Sequence, residues 1–138
     1  MILGALRTLL LEQSAITTLV GTRIRTYAID QKEVMPAIDM RITAGGNTPQ
    51  SLQGDKPGYL SYVTIDCYSE TDHKSADQLA KLLYSSVILG FRGTRDSVFI
   101  HGITADGAPT QDTETVDPAT NKRRSVTSVD YEVHWSLA

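Results

Sequence analysis

The side chains able to do chemistry are few and widely spaced: His73, His101, His134 and a single cysteine, Cys67. His101 and His134 fall in stretches where apolar and polar residues alternate, the pattern of a half-buried strand, so the two can be neighbours across a sheet. With Asp66 or Asp130 they would offer metal donors. Their spacing matches no ligand motif, and the plainer reading is a pair of surface or interface histidines. Cys67 lies inside another alternating stretch. A nucleophilic thiolate needs a neighbour that lowers its pKa, and the sequence shows none, so Cys67 reads as a small core residue. Asp66, Asp130 and Glu132 share an outward parity and could act as an acid–base pair. Outward carboxylates on strands are more often solvated or paired with Lys and Arg, and no pocket signature accompanies these.

Motifs for nucleotide or acyl chemistry are missing. Gly45-Gly46 lacks a third glycine, a following lysine and a following helix, and no serine sits in a nucleophile elbow. Lys122-Arg123-Arg124 is the one basic run. It can meet phosphates or an acidic partner, or be the solvated base of a hairpin. Arg92 and Arg95 follow the main helix, where the dipole favours cations. No catalytic residue, cofactor or metal is expected. The enzymatic alternative is a small hydrolase or transferase using Asp66, His101, Asp130 or His134.

The chain that must position these groups has 138 residues, 41% hydrophobic and 21% charged, which is one domain of globular composition. A chain of this size can bury about 70% of its unfolded surface. Its net charge of −3 argues against a dedicated DNA grip, which needs a basic excess; passive contact with DNA stays open. One cysteine allows no internal disulfide and suits a reducing compartment. The apolar N-terminal stretch is interrupted by Arg7 and is short for a membrane span or secretory signal, so no membrane partner is expected.

Leu3, Leu6 and Leu10 recur at helical spacing, and a second short helix is expected over 15–20, capped by Ser14 and stopped by Gly21. Strands are expected over 23–27, from Pro36 through Ile42, and over 59–69. The density of glycine and proline over 44–58 reads as a loop. A main helix over 75–89, capped by Thr71 or Asp72, carries Ala76, Leu79, Ala80, Leu83 and Val87. Strands over 97–103 and 129–137 follow, separated by a polar stretch, 104–124, that is either a projecting hairpin or an arm. In the first of these, Phe99, His101 and Ile103 are expected opposite Val98 and Ile100. The implied fold class is α+β: a two-layer sandwich with a mostly antiparallel four- to five-stranded sheet, two main helices on one face, and long loops or a projecting hairpin.

Several of these pieces together resemble the tail completion, or tail terminator, proteins of long-tailed bacteriophages, the minor tail protein U-like group. The matching segments are the leucine helix running into Ala15-Ile-Thr-Thr-Leu-Val-Gly-Thr-Arg-Ile24, the proline-led Met35-Pro-Ala-Ile-Asp-Met-Arg-Ile42, and Tyr62-Val-Thr-Ile-Asp-Cys-Tyr68 before an alanine- and leucine-rich helix that ends in Gly90-Phe-Arg-Gly93. The closing strand Ser128-Val-Asp-Tyr-Glu-Val-His-Trp135 completes the set. Arg25-Thr26 departs from the aromatic–proline pair usual in that family, and 104–124 is longer than usual.

The resemblance implies a hexameric ring on the head-proximal end of a virion tail, made in the host cytoplasm. Its partners would be sister subunits, the tail tube protein and a head-completion or neck protein, with DNA passing passively through the bore. A different head–tail joining protein of a phage, gene transfer particle or tailocin is the runner-up. An open sheet has edges that a neighbour can complete. The interface is therefore expected in the two long polar segments, at Asn47, Gln50, Gln53, Asp55 and Lys56 and at Thr113, Glu114, Lys122, Arg123 and Arg124.

Overall fold

The computed structural model describes residues 2–27, 29, 32–43, 48–50, 58–70, 73–84, 88–117, 119 and 122–138, with backbone alone at 48–50, 115–117 and 122. Three helices, α1 (Ile2–Leu11), α2 (Ser14–Val20) and α3 (Lys74–Leu82), accompany eight strands. These are β1 (Ile24–Thr26), β2 (Ala37–Ile42), β3 (Thr48–Gln50), β4 (Gly58–Ser69), β5 (Gly93–Arg95), β6 (Val98–Ala105), β7 (Thr110–Asp117) and β8 (Lys122–Leu137). The class is α+β, with a single curled mixed sheet. Eight strands exceed the expected four to five. The surplus is β3 and β5, in segments read as connections, and β7, in the stretch read as a projecting hairpin or an arm.

The sheet is two long hairpins laid side by side. The centre is β4 against β8, antiparallel from Tyr59 opposite Trp135 to Ser69 opposite Ser125. The outer edge of β4 is shared by β2 and β3, both antiparallel to it and placed end to end. The outer edge of β8 is shared in the same way by β6 and β7. Each hairpin is thus a long strand facing a broken one. The Asp106 amide donates to the Asp130 carbonyl at 2.8 Å and holds the break between β6 and β7 against β8. Because β4 and β8 are antiparallel, β3 sits at one end of the sheet and the paired ends of β7 and β8 at the other. Of the two alternatives for the 104–124 stretch, the pairing of β7 with the start of β8 is the hairpin, and β8 begins well before the expected Val129. The sheet is not wholly antiparallel: β1 runs parallel to β2, in register from Ile24 opposite Ile38.

One cluster joins all three helices to one face of the sheet. From α1 come Ile2, Leu3, Leu6, Leu9 and Leu10; from α2, Ile16 and Val20; from α3, Ala76, Leu79 and Ala80; from the sheet, Ile38, Met40, Val63, Ile65, Cys67, Val129, Tyr131, Val133 and Trp135. Burying each large aliphatic side chain contributes about 1.5–3 kcal/mol, so this face carries the fold. The Tyr131 hydroxyl, fully inside, donates to the Leu83 carbonyl at 2.7 Å. The Trp135 indole donates to Ser61 Oγ at 2.9 Å, which satisfies a polar group that burial would otherwise leave unmade.

Local expectations shift in three places. Ser14 is the first residue of α2 and not its cap; Gln13 precedes the helix, without a side-chain cap bond, and the Ser14 carbonyl accepts from Thr18 Oγ1 at 2.6 Å. Gly21, at φ +58°, ends α2, a conformation that costs glycine least. His73 precedes α3, again without a side-chain cap bond; the expected caps Thr71 and Asp72, and Val87, lie outside the described residues. In β6 a bulge between Ile100 and Gly102 inserts one extra residue. Ile100 and Ile103 therefore face the same core, opposite Trp135 and Val133, where strict alternation put them on opposite sides.

Candidate assembly interface

The second face of the sheet has no helix on it among the described residues. Its side chains are those that alternate with the core residues: Asp39 and Arg41 on β2; Tyr62, Thr64, Asp66 and Tyr68 on β4; Arg124, Ser128, Asp130, Glu132, His134 and Ser136 on β8. Register brings them into rows. Asp39 is opposite Asp66 and Arg41 opposite Thr64, while Asp66 is opposite Ser128, Thr64 opposite Asp130 and Tyr62 opposite Glu132.

The rows are bonded across the strands. Asp66 receives Arg41 Nη1 in an ion pair and the Ser128 hydroxyl at 2.5 Å. Asp130 receives the Thr64 hydroxyl at 2.5 Å. Arg124 donates to Glu114 at 2.9 Å, and its guanidinium lies 4.6 Å from the centre of the Tyr68 ring. These groups shield one another, so Asp39, Thr64, Asp66 and Arg124 are buried although no helix covers them.

Asp39 is the exception. Its Oδ1 is buried without a hydrogen-bond partner among the described residues. Burial first, then the charge of Asp66 across the strand, pushes its carboxyl up to about 6. Burial and the Asp66 charge also push the Tyr68 phenol up. Asp39 was not among the sequence candidates. Its alternation with Ile38 and Met40 marked it as outward, but the strand register that puts it against Asp66 is a tertiary fact.

Among the described residues, those singled out for chemistry each have separate surroundings. His101 meets Ser136 Oγ at 3.0 Å and packs edge-on against Phe99 at 4.7 Å. Burial, then Arg92 and His134, hold its pKa down. His73 lies in front of α3, on the helix layer. Among the described residues no three His, Cys, Asp or Glu side chains come close enough to hold a metal ion. Cys67 is fully buried, and burial drives its thiol pKa up, away from thiolate chemistry. Asp66 and Asp130 accept cross-strand bonds as just described. Arg95 is bonded to Glu12 of α1 at 2.5 and 2.9 Å, and Arg92 lies 5.2 Å from the Phe99 ring centre. Both were expected as helix-end cations and instead tie β5 and its approach to neighbouring elements.

Of the expected interface residues, Asn47, Gln53, Asp55 and Lys56 lie outside the described residues. Gln50 is placed by its backbone in β3, opposite Gly58, and Lys122 by its backbone opposite Asp117. Thr113 and Glu114 are on β7, paired with Ser125 and Arg124. The base of this hairpin is anchored to α3: Asp77 accepts from Gln111 Nε2 at 2.8 and 2.9 Å and from the Thr127 hydroxyl at 2.7 Å. Arg124 is drawn into the fold, whereas Arg123 is exposed.

Shallow grooves lie among the described residues. One of about 510 Å³ runs between α1 and the β1 edge, past Tyr27, Ile42 and Trp135. One of about 420 Å³ lies between α3 and β7, and one of about 390 Å³ opens on the bare sheet face beside Thr64, Asp106 and Asp130. No helix among the described residues is long and apolar enough to cross a membrane.

No family model and no curated protein sequence matches this chain. Its fold matches that of a protein chain in the virion of a native gene transfer agent particle, with a TM-score of 0.67 over 98% of this chain and 94% of that one. Sequence identity across the match is 12%, so the likeness is one of fold. The fold is therefore one found in a gene transfer agent virion.

Proposed function

We propose that the protein is a structural virion component, a tail terminator that assembles as a six-membered ring on the head-proximal end of a tail tube. The ring stops tube growth and offers its far side to a head-completion protein. The observation that carries the reading is the end-to-end fold match to a chain of a gene transfer agent virion. The segment-by-segment resemblance to phage tail terminators points the same way. A subunit with net charge −3 suits a bore through which DNA slides without being held. The side chains fit assembly better than catalysis, since the carboxylates of Asp66 and Asp130 accept cross-strand bonds.

The test is capping. Purified chain added to polymerising tail tubes should stop their growth and appear as a ring at one end in negative stain. A head–tail joining protein of another kind would leave tube length unchanged and bind only tubes already terminated. Tubes that keep growing in the presence of excess chain would refute the terminator role.

A further inference from the structure

We infer that the bare sheet face is a docking surface for a second copy of this chain, and that the neighbour seats on it the end of its β7–β8 hairpin, led by Arg123. This deepens the terminator reading and rests on it for the number of copies in the assembly.

Acidic side chains are concentrated on this face. Asp66, Asp130 and Glu132 run along its middle, and Asp39 lies beside them. Arg41 is bonded to Asp66, which leaves the strip negative. Asp39 is 4% exposed, and its Oδ1 has no partner among the described residues. A carboxylate placed there, against a second one, is a charge that Arg41 and the Met40 amide compensate only in part. A cation brought over this strip from outside would relieve that cost.

The same chain carries a cation suited to that place. Arg123 is exposed and has no partner among the described residues. It sits where the hairpin has run past the end of β4, whose last pair is Ser69 with Ser125. Lys122 adjoins it in sequence. By strand parity Arg123 points to the side of Ser125 and Thr127, the helix side, opposite to the acidic strip. Donor and acceptor surfaces therefore lie on opposite sides of one protomer. A contact between them is head-to-tail, the geometry that generates rings or filaments and not twofold dimers.

The experiment is a charge swap read by sedimentation velocity on the full chain, alone and with tail tubes, at low and physiological salt. Arg123→Glu and Glu132→Lys should each weaken self-association by about tenfold or more, because like charges then meet. The double variant should return to within about threefold of the original chain, since the swapped charges again attract. Circular dichroism of each variant confirms that it is folded. Single variants that associate like the original chain, or a double variant no better than either single, would overturn the proposal, as would an original chain that stays monomeric in every condition. Loss of DNA binding in Arg123→Glu without loss of self-association would also overturn it and assign the hairpin to phosphates. The terminator reading fails on a different result: a chain that self-associates but does not cap tubes. It survives if capping persists while the charge reversals have no effect.

Discussion

The two faces of the sheet are made from the same strands yet solve opposite problems. On the covered face, Ile38, Met40, Val63, Ile65, Val129 and Val133 meet three helices in one apolar cluster. On the bare face, the residues between them form a lattice of carboxylates, hydroxyls and two guanidinium groups, with one buried carboxylate oxygen left unmatched. Apolar packing is indifferent to direction and stabilises the protomer. A charged lattice gains little net stability for a single chain, because desolvation offsets much of the attraction, but it can specify a partner. The covered face folds the protomer, and the bare face is the one proposed here for assembly.

The comparison can be broken or sharpened by mutation. The largest effect should come from the covered face: Leu79→Ala, at a fully buried position on α3, should cost about 2–5 kcal/mol in urea unfolding. A loss under 1 kcal/mol would mean that the helix layer is not the stabilising one.

Asp39→Asn should act in the other direction. The folded protein holds the Asp39 proton up to about pH 6, from an ordinary value of 3.8. Between those two values the folded state binds more protons than the unfolded one, so Asp39 makes stability fall as pH rises. The loss is complete above about 6 and amounts to about 3 kcal/mol. The asparagine variant should therefore be more stable than the original chain at pH 7 by up to about 3 kcal/mol, and equal to it near pH 3.5. Melting curves across that range that run parallel for the two proteins would show that Asp39 is not strained.

A smaller effect belongs to the polar groups inside the core. Tyr131→Phe removes the donor to the Leu83 carbonyl and should cost about 1 kcal/mol at equilibrium. Smallest of all, Glu132→Lys on the bare face should leave protomer stability within about 0.5 kcal/mol while it weakens self-association. A large loss of stability there would erase the division of labour between the faces.

Much of the covered face was legible in the amino-acid sequence. The leucines of α1, the alternation in β2, β4 and β8, and the stripe of Ala76, Leu79, Ala80 and Leu83 depend on periodicity, which is a local property of the chain. The same alternation told which residues point outward, so Asp66, Asp130 and Glu132 were correctly placed on one side. It failed where a strand is interrupted or polar. The bulge in β6 shifted Ile103 by one position, β3 and β5 are too short to announce themselves, and the polar β7 left a hairpin and an arm equally open.

What the sequence settled alone is therefore the set of amphipathic segments and the sidedness of each, because side-chain direction follows from the backbone repeat. What the tertiary structure decided is register and neighbourhood: that Asp39 faces Asp66, that β6 and β7 share one edge of β8, and that Arg124 folds inward while Arg123 stays exposed. These are set by how strands far apart in the chain align. That alignment is fixed by burying the apolar face as a whole and is written in no single segment.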